Sequence, residues 1–507
     1  MSSEQRLQLV WFNRDLRVAD HRPLREAAAR GPCLCLYVYE TDVIAGEDYD
    51  ACHLRFVNES LADLRGSLRD LGADLVVRTG TLPGVFAELH REHGFGALWR
   101  HAETGNDLTY RRDRRVNRWA REAGLPIHSF TQNGVVRRLR SRDGWAGLWQ
   151  QRMGEPVLRR PERIMPVADV PPGETATAES LGLEPSTKHA AQPGGESIGR
   201  ETLRTFLNCR GVNYRRDMSS PVTGEDGCSR LSPYIAWGCV SLKHVHQATA
   251  QRTQQLRSAK ARGERTQPGW LQSLSSFQGR LRWHCHFMQK LEDEPRIEFE
   301  NMNRAYDGLR EAEFNEEHFD AWRRGETGYP MVDACMRSLH QNGWINFRMR
   351  AMLVSFASYH LWLHWRRPAV YLARQFVDYE PGIHYSQFQM QSGTTGINSL
   401  RIYSPIKQAQ DQDPTGEFIR QYVPELADVP LEHLHEPHKL PPLLQQDSGC
   451  VIGRDYPAPV VDHATAYNEA RRRMMAHRKR DGVRRASQQV FQKHGSRRGP
   501  RRRTWRR

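Results

Sequence analysis

Leu7-Gln-Leu-Val-Trp-Phe12, then Arg22-Pro-Leu-Arg-Glu-Ala-Ala-Ala-Arg30 beyond a polar loop, then Cys33-Leu-Cys-Leu-Tyr-Val-Tyr39, set the architecture of the first part of the chain. Two apolar runs of strand length flank a segment with helical spacing. The order repeats downstream. Leu61–Leu71 has helical spacing, Ala73–Val77 is a strand and Phe86–His93 is helical. Ala97–His101 is extended, Thr109–Ala123 helical and Ile127–Phe130 extended. Such alternation predicts an α/β, Rossmann-like domain over residues 6–135, with a parallel sheet covered on both faces. Cys33 and Cys35 then point to one face of a strand and read as small buried hydrophobes. No GxGxxG or GxxxxGK[ST] occurs here, so the usual phosphate-cradling loops are missing.

Outward from this domain the texture changes. Pro161, Pro166, Pro171, Pro172, Pro185 and Pro193 are mixed with Gly, Ser, Thr and Ala. Residues 136–200 therefore read as an interdomain linker, loosest from 160. Residues 201–475 are rich in Trp, Tyr and His and predict an all-α domain. Ala351–Trp365 and Pro368–Val377 carry apolar residues at three- and four-residue spacing. Loops are expected at 325–330, 381–396 and 404–416.

Bulk properties exclude several classes. No run of about 18 apolar residues occurs, so no membrane span is expected. The N-terminus has no apolar stretch behind it, which argues against a secretory signal and for a cytoplasmic protein. Nine cysteines include no CxxC pair, so neither a zinc nor an iron–sulfur site is predicted, and no metal is expected. The net charge is +15, but residues 471–507 alone hold 16 Lys/Arg against one acid, Asp481. The rest of the chain sums to zero, so the basicity is a tail and not a property of the body. Residues 476–507 read as a disordered basic tail that cannot fold alone. It is either a solvated arm or, as favoured, a tether that holds DNA through counterion release.

Four segments carry candidate chemistry. In Gly227-Cys-Ser-Arg-Leu-Ser-Pro-Tyr-Ile-Ala-Trp-Gly238, Ser229 and Ser232 precede a helix starting near Pro233. Such hydroxyls form an anion site or an ordinary N-cap. In Ser276-Phe-Gln-Gly-Arg-Leu-Arg-Trp-His-Cys-His-Phe287, Arg280, Trp283, His284 and Phe287 share a helical face. That face suits stacking of a base or flavin, or a core helix with a polar edge. The third segment runs from Trp322 through Thr327-Gly-Tyr-Pro330 and Asp333 to Gly343-Trp-Ile-Asn-Phe-Arg-Met-Arg350. Arg348 and Arg350, two apart, serve different partners. The fourth holds Phe376-Val-Asp-Tyr-Glu380, then Phe388-Gln-Met-Gln-Ser392 and Gly416–Leu426. A buried acid such as Asp378 needs a partner, and an Arg on a neighbouring helix is the natural one.

In this order the segments resemble the photolyase/cryptochrome superfamily. Trp11-Phe-Asn-Arg-Asp-Leu-Arg17 with Asp20 is similar to its N-terminal signature. Thr327–Pro330 with Asp333, Gly343-Trp344, Asp413–Leu426 and Pro457–His463 resemble its later ones. The resemblance spans roughly residues 6–475. It implies FAD in the helical domain, with Tyr214, Cys228, Ser229, Leu231 and Ser232 as phosphate-side contacts. Cys228 stands where Thr is usual, Phe277 where Trp is common and His284 where Arg is common. Arg350 and Asp378 match the ion pair beside the isoalloxazine ring, and Glu380 replaces a second Asp. Trp283 and Trp344 match cavity-wall aromatics, and Arg348 a phosphate contact. The implied partner is UV-damaged DNA, the implied state a monomer. The implied reaction is electron donation from photoexcited reduced FAD to a cyclobutane pyrimidine dimer flipped from the duplex. The alternative is a blue-light photoreceptor with little or no repair.

Several positions depart from the family pattern. Arg280 replaces a lesion-facing Glu and cannot accept hydrogen bonds from pyrimidine edges. Ile345 and Asn346 stand where members acting on (6-4) photoproducts have His. His384 stands where Asn or Asp faces flavin N5, and an imidazole titrating near neutrality would make flavin behaviour pH-dependent. Of a usual chain of three tryptophans only Trp365 remains, with Ala312 and Phe388 in the other places. A detour through Trp344, Trp362, Tyr371 or Tyr385 is open. His101-Ala-Glu-Thr-Gly-Asn-Asp107, with Thr109 in place of an acid, is either a pterin or deazaflavin antenna site or a helix-capping loop.

Overall fold

The computed structural model describes Arg6 to Ser496. Its five strands are β1 (Leu7–Phe12), β2 (Cys33–Glu40), β3 (Leu75–Gly80), β4 (Phe95–His101) and β5 (Ile127–Phe130). They form one parallel sheet in the order β3-β2-β1-β4-β5. The period of two divides their side chains between two cores. Val10, Phe12, Cys33, Cys35, Leu75 and Val77 join one cluster, with helices Arg22–Ala28 and Ala51–Arg69. Leu9, Trp11, Leu34, Leu36 and Val76 join the other, under helices Gly84–His93 and Asp107–Glu122. Helix Ala51–Arg69 starts at Ala51 rather than Leu61. Asp50 accepts from Cys52 N at 3.0 Å, and Asp50 N donates to His53 Nδ1 at 3.2 Å. This reciprocal cap fixes a start that apolar spacing does not reveal.

The stretch 136–200 is not a plain linker. Helix Trp145–Gly154 lies within it, and helix Glu196–Asn208 begins before its end. Its irregular part is pinned to the α/β layer. Ile164 N donates to Leu71 O at 2.7 Å, Cys33 N to Met165 O at 3.0 Å and Val77 N to Pro172 O at 2.7 Å. Eight of the nine cysteines are buried; Cys209, just past Asn208, is exposed.

Beyond residue 200 the structure is helical. Helices Trp270–Asp293 and Pro381–Gln391 lie in close contact, and a Cβ at Gly382 would stand 2.6 Å from Met288 Cα. Asp333, in the first turn of helix Pro330–Asn342, organises the loop before it. Its carboxylate accepts from Thr327 N (2.8 Å), Thr327 Oγ1 (2.6 Å), Gly328 N (3.0 Å) and Tyr456 Oη (2.6 Å). The helix expected over Ala351–Trp365 is divided. Regular helix Phe347–Ser355 passes into a π-helical turn, Phe356–His360, and then leaves helix, with Trp362 at φ +53°. Nearly every residue from Ala351 to Trp365 is buried, so apolar spacing carries no register there. No helix among the described residues is long and apolar enough to cross a membrane.

The tail requires a correction. Asp481–His494 is a helix docked on the body, not a disordered arm. Val483, Ser487, Val490 and His494 recur at helical spacing along one face. Val483 packs with Tyr306, Tyr359 and Met474, and Val490 against Leu291, Ile297 and Met302. Ser487 Oγ accepts from Asn303 Nδ2 at 3.0 Å, and His494 Nε2 lies 2.5 Å from Glu294 Oε2. The segment cannot fold alone, but it has partners. The expected tether covers all of 476–507; its first part holds this docked helix, and 497–507 lie outside the described residues.

Candidate functional site

The centre of the site is an ion pair between two elements. Arg350, on helix Phe347–Ser355, meets Asp378, in the turn after helix Arg366–Gln375. Nη1 donates to Oδ1 at 2.9 Å and Nη2 to Oδ2 at 2.8 Å. Such a two-pronged pair fixes both planes. Arg350 Nε donates to Ile345 O at 2.8 Å, and the guanidinium lies 4.0 Å from the Phe376 ring centroid. Asp378 is buried, whereas the Arg350 side chain remains 25 % exposed. The pair therefore presents its cation to the open side.

The serine segment joins this centre through Trp344. Trp344 Nε1 donates to Ser232 Oγ at 3.2 Å, and Ser229 Oγ accepts from Leu231 N at 3.4 Å. Ser232 opens a short helix, Ser232–Ala236. Arg230, between the serines, was not singled out from sequence. It adopts φ +58°, and its guanidinium lies 3.9 Å from the Trp344 ring centroid. Gln192 clamps it at both ends, at 3.0 Å to its carbonyl and 3.0 Å to its Nε. No carboxylate pairs with it among the described residues, so it is a fixed cation available to an anion. The signal for it was its place inside the serine motif.

Behind the serines lies an apolar wall. Phe277 packs edge-on against Phe206 (4.7 Å between centroids) and Tyr214 (5.7 Å). Burial pushes the Cys228 thiol up to about 12, so it stays protonated and offers only a weak donor. Burial lowers His284 to about 4, leaving a neutral imidazole. His284 and Glu380 line a small cavity of about 30 Å³ with Arg14 and Glu103 of the α/β part. Burial raises Glu380 to about 7, against the opposing charge of Arg14 3.9 Å away.

His384 overturns one expectation. Its Nε2 lies 2.7 Å from Ala369 O and donates there, which leaves Nδ1 as acceptor. Burial pushes the imidazole down to about 4, so it does not titrate near neutrality. Phe376, Tyr379, Tyr385 and Phe388 surround it. Trp365 is fully buried, donates to Asn301 Oδ1 at 2.8 Å and touches Tyr385 edge-on at 6.4 Å.

A rim of a different character is formed by helix Trp270–Asp293 and the start of helix Phe347–Ser355. Arg280 lies 5.7 Å from the Phe347 ring centroid. Phe347 is 47 % and Trp283 43 % exposed, unusual for rings of this size. Trp283 packs on His286 and Phe287 of its own helix. Arg348 Nη2 reaches Ser219 Oγ at 3.4 Å.

The α/β part has its own cavity, of about 70 Å³, at the carboxyl ends of β1, β2 and β4. Ligands of parallel sheets bind at such a place. Asn13, Glu40, Glu103 and Tyr379 are among its lining residues. Arg112 beneath it donates to Glu40 Oε1 and Glu103 Oε2, both at 2.6 Å. Asn106 caps helix Asp107–Glu122 by accepting from Thr109 N, so the capping role is real. Nearby, Asp15 Oδ2 lies 2.9 Å from His21 Nε2 and 2.7 Å from His101 Nδ1. His21 Nδ1 in turn accepts from Leu24 N. These groups knit β1, β4 and helix Arg22–Ala28 together by hydrogen bonds.

The groups around Arg350 fit FAD. The Ser229–Ser232 turn and unpaired Arg230 suit a pyrophosphate, and Arg350 with Asp378 offers donors and an acceptor to a polar ring edge. Two family models match the chain: "DNA photolyase" over residues 8–143 and "FAD binding domain of DNA photolyase" over 277–476. A cryptochrome DASH of Gloeobacter violaceus is 30% identical, the alignment covering 91% of this chain and 95% of that protein. A deoxyribodipyrimidine photo-lyase of Halobacterium salinarum is 28% identical, covering 92% and 98%. The crystal structure of a class III photolyase from Agrobacterium tumefaciens superposes with a TM-score of 0.82 at 26% identity, covering 95% of this chain and 99% of that one.

Proposed function

Since this chain belongs to the photolyase/cryptochrome superfamily and carries its FAD-binding domain, we propose that it is a deoxyribodipyrimidine photo-lyase. In this reading it splits UV-induced cyclobutane pyrimidine dimers in DNA under light. Bound FAD supplies the photoexcitable one-electron donor. The protein's part is to hold, orient and shield. Arg230 and the serines anchor the phosphates, while Arg350 and Asp378 fix the ring edge. His384, neutral and committed to Ala369, offers an acceptor and holds no exchangeable charge. Trp283, Trp344 and Phe347 offer faces for an extruded base, Arg280 a cation for an anionic lesion, and Arg348 a contact for a flanking phosphate. An antenna, a pterin or deazaflavin, would belong beside His101–Asp107 at the strand ends, where the cavity of about 70 Å³ has room for roughly two waters and would have to widen to take it.

The observation that carries the repair reading is the exposed rim of Trp283 and Phe347 with Arg280 beside it. Large rings held in solvent suit a surface that stacks against bases. Arg280 itself favours the second reading, a blue-light photoreceptor with little repair, because it accepts no hydrogen bond from a pyrimidine edge. The relatives carry both kinds of name. The test is loss of thymine dimers from irradiated single- and double-stranded oligonucleotides, lit against dark. Dimers lost only in the light support repair; dimers unchanged in a protein that holds photoreducible FAD overturn it.

A further inference from the structure

Tyr379 stands between Asp378 and Glu380, yet its ring points out of the helical part and into the α/β part. Its hydroxyl lies 2.5 Å from Asp48 Oδ2, and both groups are buried. Asn106 Nδ2 donates to the same oxygen at 3.1 Å, which fixes the carboxylate. Arg14 Nη1 donates to Tyr379 O at 3.0 Å, which fixes the backbone. The ring lies 5.2 Å from His384 and stacks on His53 at 6.1 Å.

Four rings surround His384. Phe376 and Phe388 are not oxidised at accessible potentials. No hydrogen bond joins the Tyr385 hydroxyl to a carboxylate among the described residues; its polar neighbour is Tyr379. Trp365 donates to the neutral amide of Asn301. Only Tyr379 has a carboxylate aligned to take its proton. That distinction matters because an oxidised phenol is a strong acid, and losing an electron without the proton would leave a cation in a dry interior. Burial, with Asp48 beside it, holds the Tyr379 phenol well above its ordinary value, so in the resting protein the proton stays on oxygen.

We propose that Tyr379 and Asp48 form a proton-coupled electron donor to the flavin, serving in place of the missing tryptophans; the proposal rests on the FAD reading above. In the step, photoexcited oxidised flavin gains one electron and Tyr379 loses it. The Tyr379 O–H bond breaks, an O–H bond forms on Asp48 Oδ2, and Tyr379 becomes a neutral phenoxyl radical. Asp48 goes from anion to acid, so no cation is left in the interior. Both groups line the cavity of about 70 Å³, where roughly two waters fit and can relay the proton onward. An added thiol then returns an electron and a proton to the radical.

The test uses the full chain loaded with FAD and compares the parent with Tyr379→Phe, Asp48→Asn and Asp48→Glu. Electron paramagnetic resonance after illumination should give a tyrosyl signal that narrows with β-deuterated tyrosine and is lost in Tyr379→Phe. Infrared light-minus-dark spectra should gain a carboxylic acid C=O band that Asp48→Asn lacks. Radical formation should slow about 100-fold in Asp48→Asn, the low end for a positioned base, and recover in part in Asp48→Glu. Flavin absorbance and the unfolding midpoint of each variant report whether it is folded. A parent whose flavin is photoreduced while Tyr379→Phe keeps the same signal and rate overturns the proposal and leaves the FAD reading intact. A tryptophanyl signal alone, or an unchanged rate in Asp48→Asn, overturns it equally. A parent that retains no flavin overturns both.

Discussion

Glu294→Gln should loosen the C-terminal helix without touching the site. Glu294 ends helix Trp270–Asp293 as its cap residue and is nearly enclosed. Its Oε2 lies 2.5 Å from His494 Nε2 and 2.9 Å from Lys493 Nζ. Burial works against the charge, but His494 and Lys493 outweigh it and hold the carboxyl down to about 2, from 4.5. Taken unscreened, that difference is worth roughly 3 kcal/mol. Lys493 is half-exposed and its share is screened, and burial lowers His494 so that its ring gives up charge below its ordinary value; about 1.5 kcal/mol is the working value. A carboxyl depressed by folding contributes fully above its unfolded value of 4.5. The contribution is lost as pH falls toward 2. The assay is amide hydrogen exchange over 481–494, corrected for intrinsic rates. At about pH 6 the variant should exchange about tenfold faster than the parent, the equivalent of 1.4 kcal/mol. Between about pH 4 and 2 the gap should close. Equal protection at neutral pH, or a gap that widens on acidification, would refute the reasoning.

Asp378→Asn should weaken FAD about 30-fold (roughly 2 kcal/mol), less than for a fully buried pair because Arg350 is partly exposed; titration of apoprotein with FAD measures it. Trp283→Ala should weaken damaged oligonucleotides about 10- to 100-fold while FAD affinity holds, because one stacking face is removed. The parent's flavin photoreduction should show no step near pH 6.5 that belongs to His384, which is held near 4; a step from Glu380, raised to about 7, should survive His384→Asn. A step there that His384→Asn removes would contradict the burial argument. Truncation after residue 496 removes Lys/Arg only outside the described residues; the salt dependence of DNA binding should become shallower by about 0.9 for each phosphate the shortened chain no longer neutralises.

Much of the site was legible because its chemistry is local in sequence. Spacing placed Ser229 and Ser232 before a helix but left an anion site and an N-cap both open until the family resemblance; Asp378 as a buried acid demands an arginine, which Arg350 supplies. The five strands were legible because burial on both faces leaves short apolar runs of strand length between helical segments. Other features depend on groups far apart in the chain. Arg230 matters only because Gln192 clamps it and Trp344 lies under it. His384 looks like a pH switch until its burial is known. The turn at Phe356–His360 was hidden because burial on all sides erases periodicity. The last helix was missed because composition describes a segment alone, and Val483, Val490 and His494 stabilise it only against the body.

The distribution of thiols gives the molecule a native handle for spectroscopy. Eight cysteines are enclosed, and burial raises several far above the range where thiolate forms, Cys35 and Cys335 among them. Cys209 alone faces water, at the end of helix Glu196–Asn208, whose neighbour Phe206 packs on Phe277 and Tyr214. One maleimide dye per folded chain therefore attaches without mutagenesis, at a known point behind the cofactor wall. Its emission becomes a gauge of cofactor loading and of DNA arrival, read from the wild-type sequence.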